Sequence, residues 1–444
     1  MDKHKVFLAF CDKYDPKEIQ KIIQKGIETL NISKISGNIT IKPNIVIAHK
    51  KASPHSYTRP EVVTGLLEEF NANHNVNSVK ITERSGARIS TSAQFKRAGY
   101  NRLKNHFNNL TLEPLEKTKQ KVVELKNSKL HDKVTVAECL VENDFLIYMP
   151  KYKFNILVNG ITGALKLNIG ILDDEERMKF HDMRLPDKIV DLYEVGNPDL
   201  IIVDGIIAGH GGSQLTALPY DLGCIIMGTN SLAVDVVLNH IISHDPKQVL
   251  HLVEAHKRGY GPIELEEIEI MGESLDFFQK RTQDFEKGYF NPVREFPTTW
   301  EILVGDGEAT DGTTGYCEGG CHGIVLDELL MAKDRDVDNP KKVNPNVKLV
   351  IGKYKGDVEA KTVIIVGNCS DVSGEIKGRT VRVKGCPPTH RDLLVALALD
   401  GGLYPEVLRM TLTFPHLPYM TKKFLGKAHK TQTWKVIPEL LRHW

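Results

Sequence analysis

The chain predicts an α/β protein: a mainly parallel sheet with helices on both faces, followed by a smaller C-terminal α/β domain that carries a cysteine cluster. Three observations lead there. Short apolar runs alternate with segments whose apolar residues recur at helical spacing, the pattern of strand–helix–strand units. The run at 145–149 is apolar throughout, as suits a strand buried on both faces. At 444 residues with 41% hydrophobic and 26% charged, the chain can bury a sizeable core and divide into domains.

In chain order, 6–10 reads as a strand and 16–30 as a helix, with Ile19, Ile22, Ile23, Ile27 and Leu30 on one face. Residues 38–46 are extended and carry Lys42-Pro43-Asn44. Residues 61–70 form a helix started by Pro60. Strands follow at 79–83, 145–149, 200–204 and 223–227, and helices at 232–243 and 246–258. The segment 263–271 closes a first domain at 1–271, and 272–300 reads as a connector. A second domain at 301–400 has strands at 347–353, 361–366 and 379–383 and a helix at 392–399. The tail at 401–444 is basic. It reads as a strap packed on the body, or alternatively as a docking surface for an acidic redox partner.

Charge excludes some partners. Lys plus Arg number 58 and Asp plus Glu 57, a net charge of +1 that makes no case for nucleic acid or an anionic membrane. No apolar run reaches the roughly 18 residues of a spanning helix, and the first residues lack a secretory pattern, so the expected location is the cytoplasm.

Seven cysteines are few for a disulfide scaffold, and four of them fall in the second domain. Cys317 and Cys321 form a C-x3-C pair in a glycine-rich stretch. Cys369 follows one strand in Gly367-Asn368-Cys369, and Cys386 follows the next in Gly385-Cys386-Pro387-Pro388. Thiols at the ends of adjacent parallel strands, with a glycine loop over them, suit a tetrahedral sulfur site. The expected cofactor is a 4Fe-4S cluster, with zinc the alternative. Cys11, Cys139 and Cys224 read as core residues.

In the first domain, strand ends carry Lys42, Asn44, Glu83, Lys151, Lys153 and Asp204, where open parallel sheets place their binding groups. Lysines there suit a carboxylate or phosphate. Lys42, Lys166, His181 and His210 are the candidate catalytic groups, and Asn44, Glu83, Lys151 and Asp204 the candidate substrate-binding ones. His210 stands among three glycines, with no evident packing role. Nucleotide motifs are absent or incomplete: Gly305-Asp306-Gly307 has Thr310 where the dinucleotide fingerprint needs a third glycine. A flavin held by irregular contacts stays open.

Ile41-Lys42-Pro43-Asn44, Thr82-Glu83-Arg84-Ser85-Gly86, the run from Thr162 to Gly170, Val203-Asp204-Gly205 and Gly228-Thr229-Asn230 through Asp235 resemble the family known as domain of unknown function 362, over about residues 5–265. Many of its members carry a fused ferredoxin-type segment, where this chain has its four-cysteine domain. The resemblance implies a cluster-bearing, redox-active protein of anaerobic metabolism. Gly163-Ala164-Leu165-Lys166 with His181 is similar to the lysine and later histidine of the lactate racemase family, which implies a nickel pincer cofactor on that lysine; the family's glycine pair is here Gly163-Ala164.

The expectation is therefore a 4Fe-4S protein relaying electrons to a small anionic substrate or a partner protein, as a monomer or homodimer. The alternative is a non-redox isomerase, racemase-like or ligand-binding protein whose cysteines are structural or hold zinc.

Overall fold

The computed structural model describes residues 3–32, 35–48, 55–72, 75–86, 90–155, 158–173, 176–177, 179–180, 184–211, 217–287, 300–306, 321, 324–325, 329, 345–388 and 390–401. Its large sheet is built from β1 (His4–Phe10), β2 (Gly37–Pro43), β3 (Val76–Glu83), β4 (Leu110–Pro114), β7 (Phe145–Met149), β10 (Leu200–His210), β12 (Cys224–Gly228) and β13 (Ile268–Gly272), in the order β13-β1-β12-β10-β7-β2-β3-β4. β12 runs antiparallel to both neighbours, and the other pairs along this path are parallel. β8 (Lys151–Asn155) follows β7 after Pro150 and pairs with β10; β9 (Gly160–Thr162) and β11 (Leu218–Tyr220) add short antiparallel edges. β5 (Gln120–Glu124) and β6 (Lys133–Ala137) form a separate hairpin.

Helices cover both faces. On one, α1 (Pro16–Thr29) and α2 (Pro60–Ala72) pack Ile19, Ile23, Val62 and Leu66 against Ile39, Ile41, Ile147 and Ile202. α1 starts sharply because Asp15 accepts from the Lys17 N–H and Pro16 presets the first turn. α3 (Thr91–Ala98) follows β3. On the other face, α4 (Ala164–Leu167), α5 (Leu185–Asp191), α6 (Ser231–Ile241) and α7 (Leu250–Lys257) pack on Tyr148, Ile201 and Val203. No helix among the described residues is long and apolar enough to cross a membrane.

Three expectations are corrected. The strand expected at 200–204 continues to His210, so the glycines around His210 lie in or just after a strand. The helix expected at 246–258 splits at Val249, whose extended backbone (φ −100°, ψ 97°) separates a 3-10 turn from α7. The segment expected as a connector contains α8 (Leu275–Arg281), capped by Ser274. Phe278 of α8 is fully buried and joins the first core with Phe285.

The second sheet is wholly parallel: β14 (Glu301–Val304), β15 (Val347–Tyr354), β16 (Val358–Val372) and β17 (Ile376–Val383), followed by α9 (His390–Leu399). Parallel neighbours normally need a crossover of a dozen residues or more. Here the chain coils on itself instead. Val347 pairs with Thr362, and Val358 with Ile376, so the first part of β16 is the crossover for the second. Gly356, at φ +123°, makes the tight turn between β15 and β16. Val350, Val358, Ala360, Val363 and Ile365 pack on one side. Leu349, Ile364, Val366, Val383 and Leu393 pack on the other.

Phe278→Ala is expected to cost about 3–5 kcal/mol in denaturant unfolding, as a large-to-small change in a closed core does. A loss within experimental error would show α8 to be an appendage.

Candidate functional site

The carboxyl ends of β2, β3 and β7 lie side by side, with Lys42 opposite Tyr148 and Pro43 opposite Met149. Two buried lysine–carboxylate pairs form there. Lys42 Nζ lies 2.9 Å from Glu83 Oε1, and Lys151 Nζ lies 3.0 Å from Asp204 Oδ2, with every side chain at most 2% exposed. Removal from water disfavours the ammonium of Lys42 and of Lys151 and lowers both pKa values, while the paired carboxylates pull them back up. Backbone N–H groups complete the carboxylates: Ile45 and Arg84 donate to Glu83, and Arg59 donates to Asp204.

Strand alternation separates the two pairs. Lys42 shares the face of its register partner Tyr148, whereas Asp204 has the parity of Ile202 and Ile206 on the opposite core. Thr58 stands between them. Its hydroxyl donates to the Met149 carbonyl and accepts from the Asn44 N–H, and the next residue, Arg59, reaches Asp204.

On the Lys42 face lies the segment from Thr162 to Ile171. Gly170 has no space for a side chain: a Cβ would meet Glu83 Oε1 and lie 2.7 Å from Lys42 Nζ. Lys166 is half-buried, and burial, then the charge of Arg177, brings its pKa down to about 7. Arg177 acts on Lys42 in the same sense, and its guanidinium donates to the Ser85 carbonyl at 2.5 Å. The turn bearing Lys166 is anchored by Asp235, which accepts from the N–H groups of Ala164 (2.7 Å) and Leu165 (3.0 Å). Burial raises that carboxyl to about 7. A Cβ at Gly163 would collide with Asp235 Oδ1. His251 of α7 is fully buried, and among the described residues neither ring nitrogen has a hydrogen-bond partner; burial first, then the charge of Lys166, lowers its pKa to about 3.

On the opposite face Tyr14 completes the second pair. Its hydroxyl donates to Asp204 Oδ1 and accepts from Lys151 Nζ, both at 2.8 Å, and the Arg59 guanidinium lies 5.0 Å from its ring centre. Burial and then Asp204 raise its pKa. His55 is nearby; burial, then Lys151 and Arg59, push it down to about 4. Lys153 donates to the Ser56 carbonyl at 2.9 Å.

The lysines expected in one cleft thus divide, Lys42 with Lys166 and Lys151 with Asp204. Asn44 adjoins both through Thr58, its side-chain oxygen buried without a partner among the described residues. His181 lies outside the described residues. His210 stands at the far end of β10. Its ring packs on Tyr220 (4.9 Å) and Phe285 (5.4 Å) and accepts the Glu286 N–H, a packing role its sequence context does not suggest. Sequence reasoning missed Tyr14, Arg177 and His251, which bear no motif, and gave Asp235 no role. It also missed Lys188, which donates to the carbonyls of Glu176, Arg177 and Lys179 and so holds the segment bearing Arg177. Asp235 alone had a signal, within Gly228-Thr229-Asn230 through Asp235.

In the C-terminal region, Cys321 and Cys369 are half-buried and Cys386 is exposed. Cys321 Sγ lies against Gly367, where a Cβ would be 2.7 Å from it, and Gly367 has φ +110°. The stretches bearing Cys369 and Cys386 are joined by two hydrogen bonds: Asn368 N–H donates to the Gly385 carbonyl (2.9 Å), and Gly385 N–H to Asn368 Oδ1 (2.8 Å). Cys317 lies outside the described residues, among which no group of three or more His, Cys, Asp or Glu is gathered as metal ligands.

Residues 39–239, from β2 into α6, match the family described as "Domain of unknown function (DUF362)". No curated protein matches the chain. Among solved structures, the lactate racemase apoprotein from Thermoanaerobacterium thermosaccharolyticum is similar at 12% identity and a TM-score of 0.32, over 55% of this chain and 57% of that one. The similarity thus spans little more than half of that protein's length.

Asp204→Ala strands a buried ammonium and is expected to cost about 3–5 kcal/mol, whereas the double change Asp204→Leu with Lys151→Met recovers most of the loss. Urea unfolding of the two variants checks this; equal losses in the single and the double variant would contradict it. Lys166 generates a pH dependence of known sign. Its folded pKa of about 7 lies below the usual 10.5, so the unfolded chain binds more protons between those values. Stability therefore rises from pH 7 towards 10.5, and Lys166→Met flattens that rise. Unfolding curves across this range, with parallel slopes in both proteins, would refute the assignment.

Proposed function

We propose that this chain is an iron–sulfur protein. Cys317, Cys321, Cys369 and Cys386 hold a 4Fe-4S cluster, and the large α/β domain binds a small anionic substrate to which electrons pass. The observation that carries the reading is the arrangement of thiols at one end of the second sheet: Cys321 Sγ on the bare backbone of Gly367, and Cys369 and Cys386 on stretches tied by paired hydrogen bonds. The cluster supplies one-electron chemistry when bound. The chain's own contribution is the seat. Gly367 keeps bulk away from Cys321, and the Asn368–Gly385 bonds hold two ligand stretches in register. Cysteines that serve as cluster ligands persist in a reducing cytoplasm, the compartment proposed here. In the large domain, Lys42, Lys166 and Arg177 supply positive charge for a carboxylate or phosphate.

One observation favours a second reading, acid–base chemistry without redox. With a pKa near 7, Lys166 is an amine able to take up or give a proton at neutral pH. That reading keeps the cysteines structural or zinc-bound.

Anaerobic purification followed by iron and sulfide analysis separates the two. About four irons and four sulfides per chain are expected, with most of the iron lost in Cys369→Ala and Cys386→Ala and an electron paramagnetic resonance signal on reduction. Stoichiometric zinc without iron, or full iron in both variants, would reject the cluster assignment.

A further inference from the structure

We infer that Lys188 is a positioning residue for the anion site of the large domain: by gathering the carbonyls of the turn at 176–179 it sets Arg177 against Lys166 and Lys42. This rests on the reading that Lys42, Lys166 and Arg177 receive a small anionic substrate. Lys188 lies on α5 and is fully buried. Its ammonium donates to the carbonyls of Glu176 (2.8 Å), Arg177 (2.8 Å) and Lys179 (2.5 Å). An ammonium taken out of water needs such partners, and converging carbonyls present the negative end of a turn to it. Asp173 closes the other end of the turn: its carboxylate accepts the Glu176 N–H and its carbonyl the Arg177 N–H, both at 2.9 Å. Beyond the turn, the Phe180 ring stands edge-on to His131 (5.2 Å), whose Nδ1 lies 3.1 Å from Asp191 of the same α5. The helix therefore holds this segment twice, through Lys188 and through Asp191, and Arg177 projects from it to the Ser85 carbonyl.

Lys188 bears on chemistry through what Arg177 does. Burial lowers the proton affinity of Lys166, and the Arg177 charge lowers it further. On Lys42, burial acts downward, Glu83 upward and Arg177 downward. The other titratable groups facing this side are Asp235, which anchors the turn of Lys166, and the imidazole of His251. An anion placed among the three cations relieves their mutual repulsion. The position of Arg177 thus sets both how firmly an anion is held and how readily Lys166 gives up its proton.

The test uses the anaerobically purified full chain. The neutral fraction of Lys166 is read from its rate of acetylation by acetic anhydride, followed by peptide mass spectrometry from about pH 5 to 10. Anion affinity is read by calorimetry with inorganic phosphate and with acetate at about pH 6, where Lys166 is mostly charged. Lys188→Met is expected to raise the proton affinity of Lys166 about tenfold and to weaken anion binding about tenfold. Arg177→Met is expected to do the same, and the double variant no more than Arg177→Met alone. Lys188→Gln keeps two donors on a shorter arm and takes the place of Lys188→Met, with the same expected directions, if the latter does not fold. A loss of urea stability with an unchanged Lys166 profile makes Lys188 merely structural and overturns the proposal. An effect of full size in the Arg177→Met background overturns it too, because Lys188 then acts on Lys166 directly as a charge. Failure of the unaltered chain to bind either anion overturns the anion reading, while the Lys166 profile still decides the positioning role.

Discussion

Removing a lysine ammonium from water costs several kcal/mol, and the large domain does so at Lys42 and at Lys151. Each is tolerable only because a neighbouring strand delivers a carboxylate within 3.0 Å and backbone N–H groups occupy the remaining oxygen lone pairs. The requirement propagates outward. Glu83 must end β3, Asp204 must face the Arg59 N–H, Tyr14 must come from the far end of the chain, and Gly170 must lack a side chain. These constraints explain why widely separated segments meet at one end of the sheet.

The same sheet keeps the pairs apart. Alternation places Lys42 towards Tyr148 and α4, and Asp204 towards α1 and Tyr14. The Lys42 side holds the groups closest to neutral titration, Lys166 and Asp235, together with the unpartnered imidazole of His251. The Tyr14 side is saturated with hydrogen bonds and reads as a rigid support. The substrate chemistry proposed above therefore draws on the Lys166 side. The thiols belong to another architecture, a coil of parallel strands whose crossovers are parts of the strands themselves.

Much of the framework was legible. The apolar run at 145–149 and the helical spacing of Ile19, Ile23 and their neighbours report local burial, and local burial appears directly in sequence. α8 was illegible because its single buried anchor, Phe278, sits among exposed charged residues. The continuation of β10 to His210 was masked by glycines that usually signal a loop; Gly209 is needed because Ala217 and Lys153 crowd it. Tyr14, Lys188 and His251 follow no motif, since a tyrosine, a lysine and a histidine in amphipathic contexts look like surface residues until the fold closes over them.

Sequence alone determined the main strands and helices of the large sheet, its largely parallel character, the lysines and carboxylates at strand ends, and the glycine–cysteine stretches of the second domain. All of these follow from residue type and spacing within short windows. The fold decided which lysine meets which carboxylate, on which face, and at what proton affinity. Those properties depend on desolvation and on charges tens to hundreds of residues away, such as Tyr14 against Asp204 and Lys166 on His251. No local pattern encodes a distance between segments that only the closed sheet brings together.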